Sequence, residues 1–108
     1  MRSYSIYKQC RTHDERMQGM QNDMLDEGTC CAFVFDGRVQ PRFWGKNTIQ
    51  DLYVALIDGE KVVDCKKIHS FDLTPVVMEG FGDKAIEVLD EIAIGSKVVF
   101  TGDRIAVY

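Results

Sequence analysis

The stretch from Asp51 to Ile68, "DLYVALIDGEKVVDCKKI", limits the fold more than any other part of the chain. Two apolar, β-branched runs flank Asp58-Gly59-Glu60, and such a pattern about a glycine turn predicts a β-hairpin. The closing segment "SKVVFTGDRIAVY" repeats the pattern about Thr101-Gly102-Asp103. Upstream, "CCAFVFDG" reads as a buried strand that ends at an Asp36-Gly37 turn, and "SYSIYK" as a short strand. In "RVQPRFW", Pro41 has no N–H to give a ladder and fits only an edge or a bulge. "LTPVVMEG" adds an irregular strand.

Two segments read as helical. In "THDERMQGMQNDMLDEG", Thr12 and Glu15 stand at capping-box spacing. Met17, Met20 and Met24 recur at intervals of three and four, which predicts an amphipathic helix with a methionine inner face. Gly19 makes the helix short or imperfect, or marks a place where something packs closely against it, and Gly28 is the expected stop. In "DKAIEVLDEIAIG", Ala85, Ile86, Leu89 and Ile92 have helical spacing, so a short second helix is expected. The predicted class is α+β: one domain over residues 1–108, with a mainly antiparallel sheet, curled or partly closed into a barrel, and one or two short helices.

Composition narrows the function. The net charge of −4 is spread along the chain, and Lys61, Lys66 and Lys67 are interrupted by Asp64, so no basic footprint for nucleic acid is present. No apolar run reaches the roughly 20 residues that span a bilayer, and the N-terminus has no apolar core of a signal peptide. Neither nucleic acid nor membrane is expected as a partner. The expected location is the cytoplasm, with Cys10, Cys30, Cys31 and Cys65 as reduced thiols.

The order of motifs resembles domain-of-unknown-function family 192. Arg16, Gly19 and Met20 match that family's Arg-x-x-Gly-Leu-Met element, and Phe33, Val34 and Phe35 its Phe-Val-Phe strand. Trp44, Lys46, Asn47 and Thr48 match its Trp-Met-Lys-Asn-Thr motif, and Leu52, Ile57 and Asp58 its Pro-Leu-Asp strand. The resemblance covers about residue 16 to 108. Gly45 replaces the usual Met, and Tyr53 replaces the usual Asp, with Asp51 two residues earlier as a partial substitute. The resemblance implies a compact β-rich fold with a helix packed on one side, and no assigned activity.

The candidate site gathers about "FWGKNT". Trp44 offers a flat apolar face, Lys46 a cation, and Asn47 both donors and an acceptor. With Thr48, Asp51 and Arg16 they suit a small polar or anionic ligand, or a protein partner. The leading reading is a non-enzymatic binding or accessory module. An enzyme using Asp51 and Lys46 as acid–base groups is the alternative, and an assembly subunit joined through a sheet edge is another. Against all three stands a purely architectural corner. Cys10, His13, Cys65 and His69 carry the atom types of a zinc site, yet Cys10 and His13 straddle a strand–helix junction, so no metal and no cofactor is expected. Cys30 and Cys31 read as a core thiol and a near-surface thiol. Asp51, Asp58, Glu87 and Asp103 are scattered acids without a common cleft.

Overall fold

The computed structural model describes all 108 residues. Nine strands and one helix follow in the order β1 (Arg2–Cys10), α1 (His13–Gln18), β2 (Thr29–Val39), β3 (Arg42–Phe43), β4 (Leu52–Asp58), β5 (Lys61–Ile68), β6 (Val76–Val77), β7 (Gly82–Val88), β8 (Val98–Thr101) and β9 (Arg104–Val107). Seven strands form one sheet in the order β5-β4-β7-β2-β1-β9-β8, and β3 pairs with β6 in a separate ribbon. All ladders are antiparallel except β1–β2, where α1 makes the crossover.

The long sheet curls until its two ends meet. Val98 N–H donates to the Glu60 carbonyl at 2.7 Å, and Val62 N–H to the Ser96 carbonyl at 2.9 Å. The result is a partly closed barrel, and this closure satisfies backbone groups that an open edge would expose. The expected class therefore holds, with one helix. Both hairpins form where the turn chemistry placed them, at Gly59-Glu60 and Gly102-Asp103.

The sheet is buried on both faces. The inner cluster takes side chains from all seven strands, including Tyr4, Cys30, Ala55, Ile57, Val62, Ile86, Val98 and Ile105. The outer cluster sets Cys31, Phe33, Leu52, Val54, Leu56, Ile68 and Ala85 against Met20, Leu25 and Met78 from the connections. A bulge in β1 decides which cluster its end joins. Ile6 pairs with Cys30 and Lys8 with Cys31, leaving Tyr7 as the extra residue. One extra residue inverts the two-residue alternation. Cys10 accordingly faces the outer cluster, although Tyr4 belongs to the inner one.

Several expectations are corrected. Residues 82–88 are strand β7, not a helix, because β7 lies between β2 and β4 with both faces covered. Its buried residues run from Ala85 to Val88 without alternation, and its apolar positions also satisfy helical spacing. The capping box forms as expected: Glu15 N–H donates to Thr12 Oγ1 at 3.1 Å, and Thr12 N–H to Glu15 Oε1 at 2.9 Å. The helix nevertheless ends after Gln18, where Gly19 takes φ 47°, so Gly28 ends nothing helical. Met20 is buried, whereas Met17 and Met24 are exposed, and no continuous methionine face exists. Asp36-Gly37 does not end β2, which continues to Val39 through an irregularity opposite β7. Cys30 and Cys31 point to opposite faces, yet both are fully buried because both faces are covered.

Candidate functional site

The corner "FWGKNT" is built by close approach. Gly45 N–H donates to the Asp72 carbonyl at 2.8 Å, and a Cβ at Gly45 would lie 1.9 Å from the His69 carbonyl oxygen. The close approach leaves room for glycine alone at this position. Asn47 takes φ 52°, a left-handed turn position that asparagine tolerates well. Its carbonyl accepts from Asn22 N–H at 2.8 Å, which ties the corner to the segment after α1. The Thr48 carbonyl accepts from Ser70 Oγ at 2.7 Å. Most polar groups of the corner are therefore committed to architecture.

A cavity of about 70 Å³ opens between this corner and the end of α1. Its walls include Gly19, Met20, Phe33, Thr48 and Glu87, all buried, and its rim includes Met17, Gln18, Arg42 and Trp44, all exposed. That volume suits a functional group of a few heavy atoms. Outside the rim, Met17, Phe43, Trp44, Arg42 and Pro75 line a shelf of about 220 Å³. Phe33 and Phe43 meet edge to face with centroids 5.4 Å apart. A small polar hole thus continues into an apolar shelf.

Glu87 is the unusual member. It sits mid-strand, opposite Cys31 on one side and Val54 on the other, and only 5% of its surface is exposed. Its Oε1 is buried with no hydrogen-bond partner. Burial, and to a lesser degree the neighbouring Cys10, push its pKa up to about 8, against a smaller pull from Lys8. At neutral pH it is a neutral acid with one O–H to donate. The second buried carboxylate, Asp64, differs: its Oδ1 accepts from Cys65 N–H at 2.9 Å and its Oδ2 from Glu79 N–H at 2.8 Å. Asp64 holds backbone together, whereas Glu87 has nothing within the protein to hold.

The residues singled out from sequence divide into two groups. Arg16, Trp44 and Thr48 line the cavity. Arg16 is partly committed: its Nη1 donates to the Val34 carbonyl at 3.1 Å and to the Arg11 carbonyl, and its Nη2 lies 3.7 Å from Asp36. Lys46 lies outside, with Nζ 5.1 Å from the Trp44 ring centroid. Asn47 Nδ2 makes a long contact of 3.4 Å to Gln21 Oε1. Asp51 is remote from the cavity wall: its Oδ1 accepts from Ser70 N–H at 2.8 Å, its Oδ2 lies 3.7 Å from Lys67, and the Ser70 bond holds its pKa below the usual range. Tyr53 packs against the inner cluster, and Lys67 Nζ lies 5.9 Å from its ring centroid and 3.7 Å from Asp51 Oδ2, so the two residues share a cation away from the cavity. Cys10 and Cys65 pack against opposite clusters.

Sequence reasoning did not place Glu87 and Arg42 at the site. A signal for Glu87 was available: on a strand it shares a face with Ala85 and Leu89, and an acid on an apolar face needs a reason. Reading the segment as a helix concealed it.

The molecule is thus a small curled-β domain with a cleft on its outer layer, roofed by a single helical turn. No family model matches the chain, and no curated protein matches its sequence. Two solved structures share its fold. One is a protein of unknown function from Novosphingobium aromaticivorans, with a TM-score of 0.80 and 20% identity over 90% of this chain and 76% of that one. The other, from Sinorhizobium meliloti, is described as a "putative transcription regulator", with a TM-score of 0.75 and 15% identity over 92% of this chain and 78% of that one. At such identities the likeness is one of fold. No helix is long and apolar enough to cross a membrane.

Proposed function

We propose that this domain is a binding or accessory module that holds a small polar ligand in the cleft between the end of α1 and the Trp44 corner. The observation that carries the reading is the buried Oε1 of Glu87, which has no partner at the wall of an open cavity. An unpartnered buried polar group costs about 1–3 kcal/mol, so a group kept in that state calls for an explanation in function. A ligand that accepts from the neutral acid and donates to Oε1 would remove the cost. Carboxylic acids, amides and related planar groups do both. Arg42 at the rim favours an anionic end, and Met17, Trp44 and Pro75 offer a surface for an apolar body.

Alongside this we propose kinship with domain-of-unknown-function family 192, on the order of the Arg16-to-Asp58 motifs. The enzyme reading has less support, since Asp51 and Lys46 do not share the cavity. A nucleic-acid role is not proposed: Lys8, Lys66, Lys67, Lys84 and Lys97 each lie within 4.0 Å of an acid, and the net charge is −4. Four unpaired thiols suit a cytoplasmic setting.

Saturation-transfer NMR with small carboxylic acids, amides and amines tests the proposal. Probes carrying the acid or amide should bind the wild type and lose binding in Glu87→Leu and Trp44→Ala. Equal binding to all three proteins would defeat it.

A further inference from the structure

Behind the Glu87 wall lies a pair of thiols that the ligand reading does not use. Cys10 Sγ and Cys31 Sγ are 3.8 Å apart, on the neighbouring parallel strands β1 and β2. The bulge at Tyr7 brings them together, because without it Cys10 would face the other side of the sheet. We propose that Cys10 and Cys31 form a redox-active dithiol, which a small hydroperoxide oxidises to an intramolecular disulfide.

Both thiols are buried, Cys10 at 1% and Cys31 at 0% exposure. Only the Cys10 residue borders a second surface cavity, of about 280 Å³ between the end of β1 and α1, lined also by Lys8, Asp14 and Gln18, so local opening there admits a peroxide to Cys10 first. Cys31 borders none of the cavities and is fully buried in the outer cluster. Their acidities diverge in the same sense. The contact with Cys31, helped by Lys8, draws the Cys10 thiol below its ordinary value against its burial. The same contact, burial and the nearby Glu87 push the Cys31 thiol up. The cavity beside Cys10 makes it the attacking sulfur, and Cys31 the resolving one.

The chemistry balances. Cys10 thiolate attacks the terminal peroxide oxygen, the O–O bond breaks, and the departing oxygen takes a proton and leaves as water from hydrogen peroxide or as the alcohol from an organic hydroperoxide. Cys10 is now a sulfenic acid. Cys31 sulfur then attacks Cys10 sulfur, the S–O bond breaks, and the hydroxyl leaves as water with the Cys31 proton. Two thiols lose two electrons, and one peroxide gains them. The sulfurs need to close by roughly 1.8 Å to reach a disulfide bond length, and because Cys10 pairs with Phe33 and Cys31 with Lys8 they meet diagonally, so closure draws β1 and β2 together as well as turning the side chains. A dithiol reductant reverses the bond by exchange. Cys30 and Cys65 serve as internal controls, since they pack against the inner cluster, away from this pair.

The test uses the full chain, reduced and desalted, then exposed to hydrogen peroxide and quenched with catalase. After denaturation and alkylation, the oxidised protein should carry two alkyl groups where the reduced protein carries four, matching its four free cysteines. Peptide mapping should join Cys10 to Cys31, and dithiothreitol should restore all four thiols. Cys31→Ser should stop at a Cys10 sulfenic acid that dimedone traps, while Cys65→Ser should oxidise as the wild type does. Retention of four free thiols would overturn the proposal, as would a disulfide through Cys65 or a dimedone adduct on Cys65 alone. The wild-type map needs no variant, so a substitution that fails to fold leaves the test intact.

Discussion

Replacing Glu87 with Gln keeps the shape of the side chain and removes its proton equilibrium. Folded, the wild-type carboxyl has its pKa pushed from 4.5 up to about 8 by burial. Between those values the native state keeps a proton that the unfolded chain has released. The unfolded state then binds fewer protons, so stability falls as pH rises, by about 1.4 kcal/mol for each pH unit. The contribution is complete below the unfolded value, and its loss is complete above about 8. Over the whole window the loss is on the order of 5 kcal/mol, comparable to the total stability of a small domain. Urea unfolding at intervals from pH 5 to pH 9 measures it. Glu87→Gln should match the wild type within about 1 kcal/mol at pH 5 and exceed it progressively up to pH 9. Parallel stability curves for the two proteins would refute the reasoning, because they would mean that Glu87 ionises normally in the fold.

Other substitutions check the architecture around the cleft. Gly45→Ala should cost about 3 kcal/mol, since its Cβ would meet the His69 carbonyl at 1.9 Å, and thermal unfolding would show it. Thr12→Ala should cost about 1 kcal/mol through loss of the capping box, read from the urea midpoint. Met20→Ala should cost about 2–5 kcal/mol, whereas Met17→Ala should stay within about 0.5 kcal/mol, because only Met20 is buried.

Those two methionines also mark where sequence reading succeeds and where it stops. The hairpins at Gly59 and Gly102 were legible because turn chemistry and flanking strands lie within a few residues of each other. The capping box was legible for the same reason. Gly19 marked α1 as short or closely packed, and it ends the helix at φ 47° beside the Phe33 ring; the stop at Gly28 was the part that failed. Strand β7 was misread because a strand covered on both faces shows no alternation. That error left Glu87 as one of four scattered acids, because its burial on an apolar strand face went unseen. Trp44, Thr48 and Arg16 were legible as a group from the motif alone. The separation of Lys46 and Asp51 from them depends on how the corner packs against residues 69–72, which no local pattern records.

The most direct test of the cleft is a carbon-13 NMR titration of the Glu87 carboxyl, in the free protein and again with a bound carboxylic acid or amide probe. The free protein should titrate near 8, and the probe should move that midpoint. A midpoint near the ordinary 4.5, unchanged by every probe, would contradict the assignment of Glu87 to a ligand site.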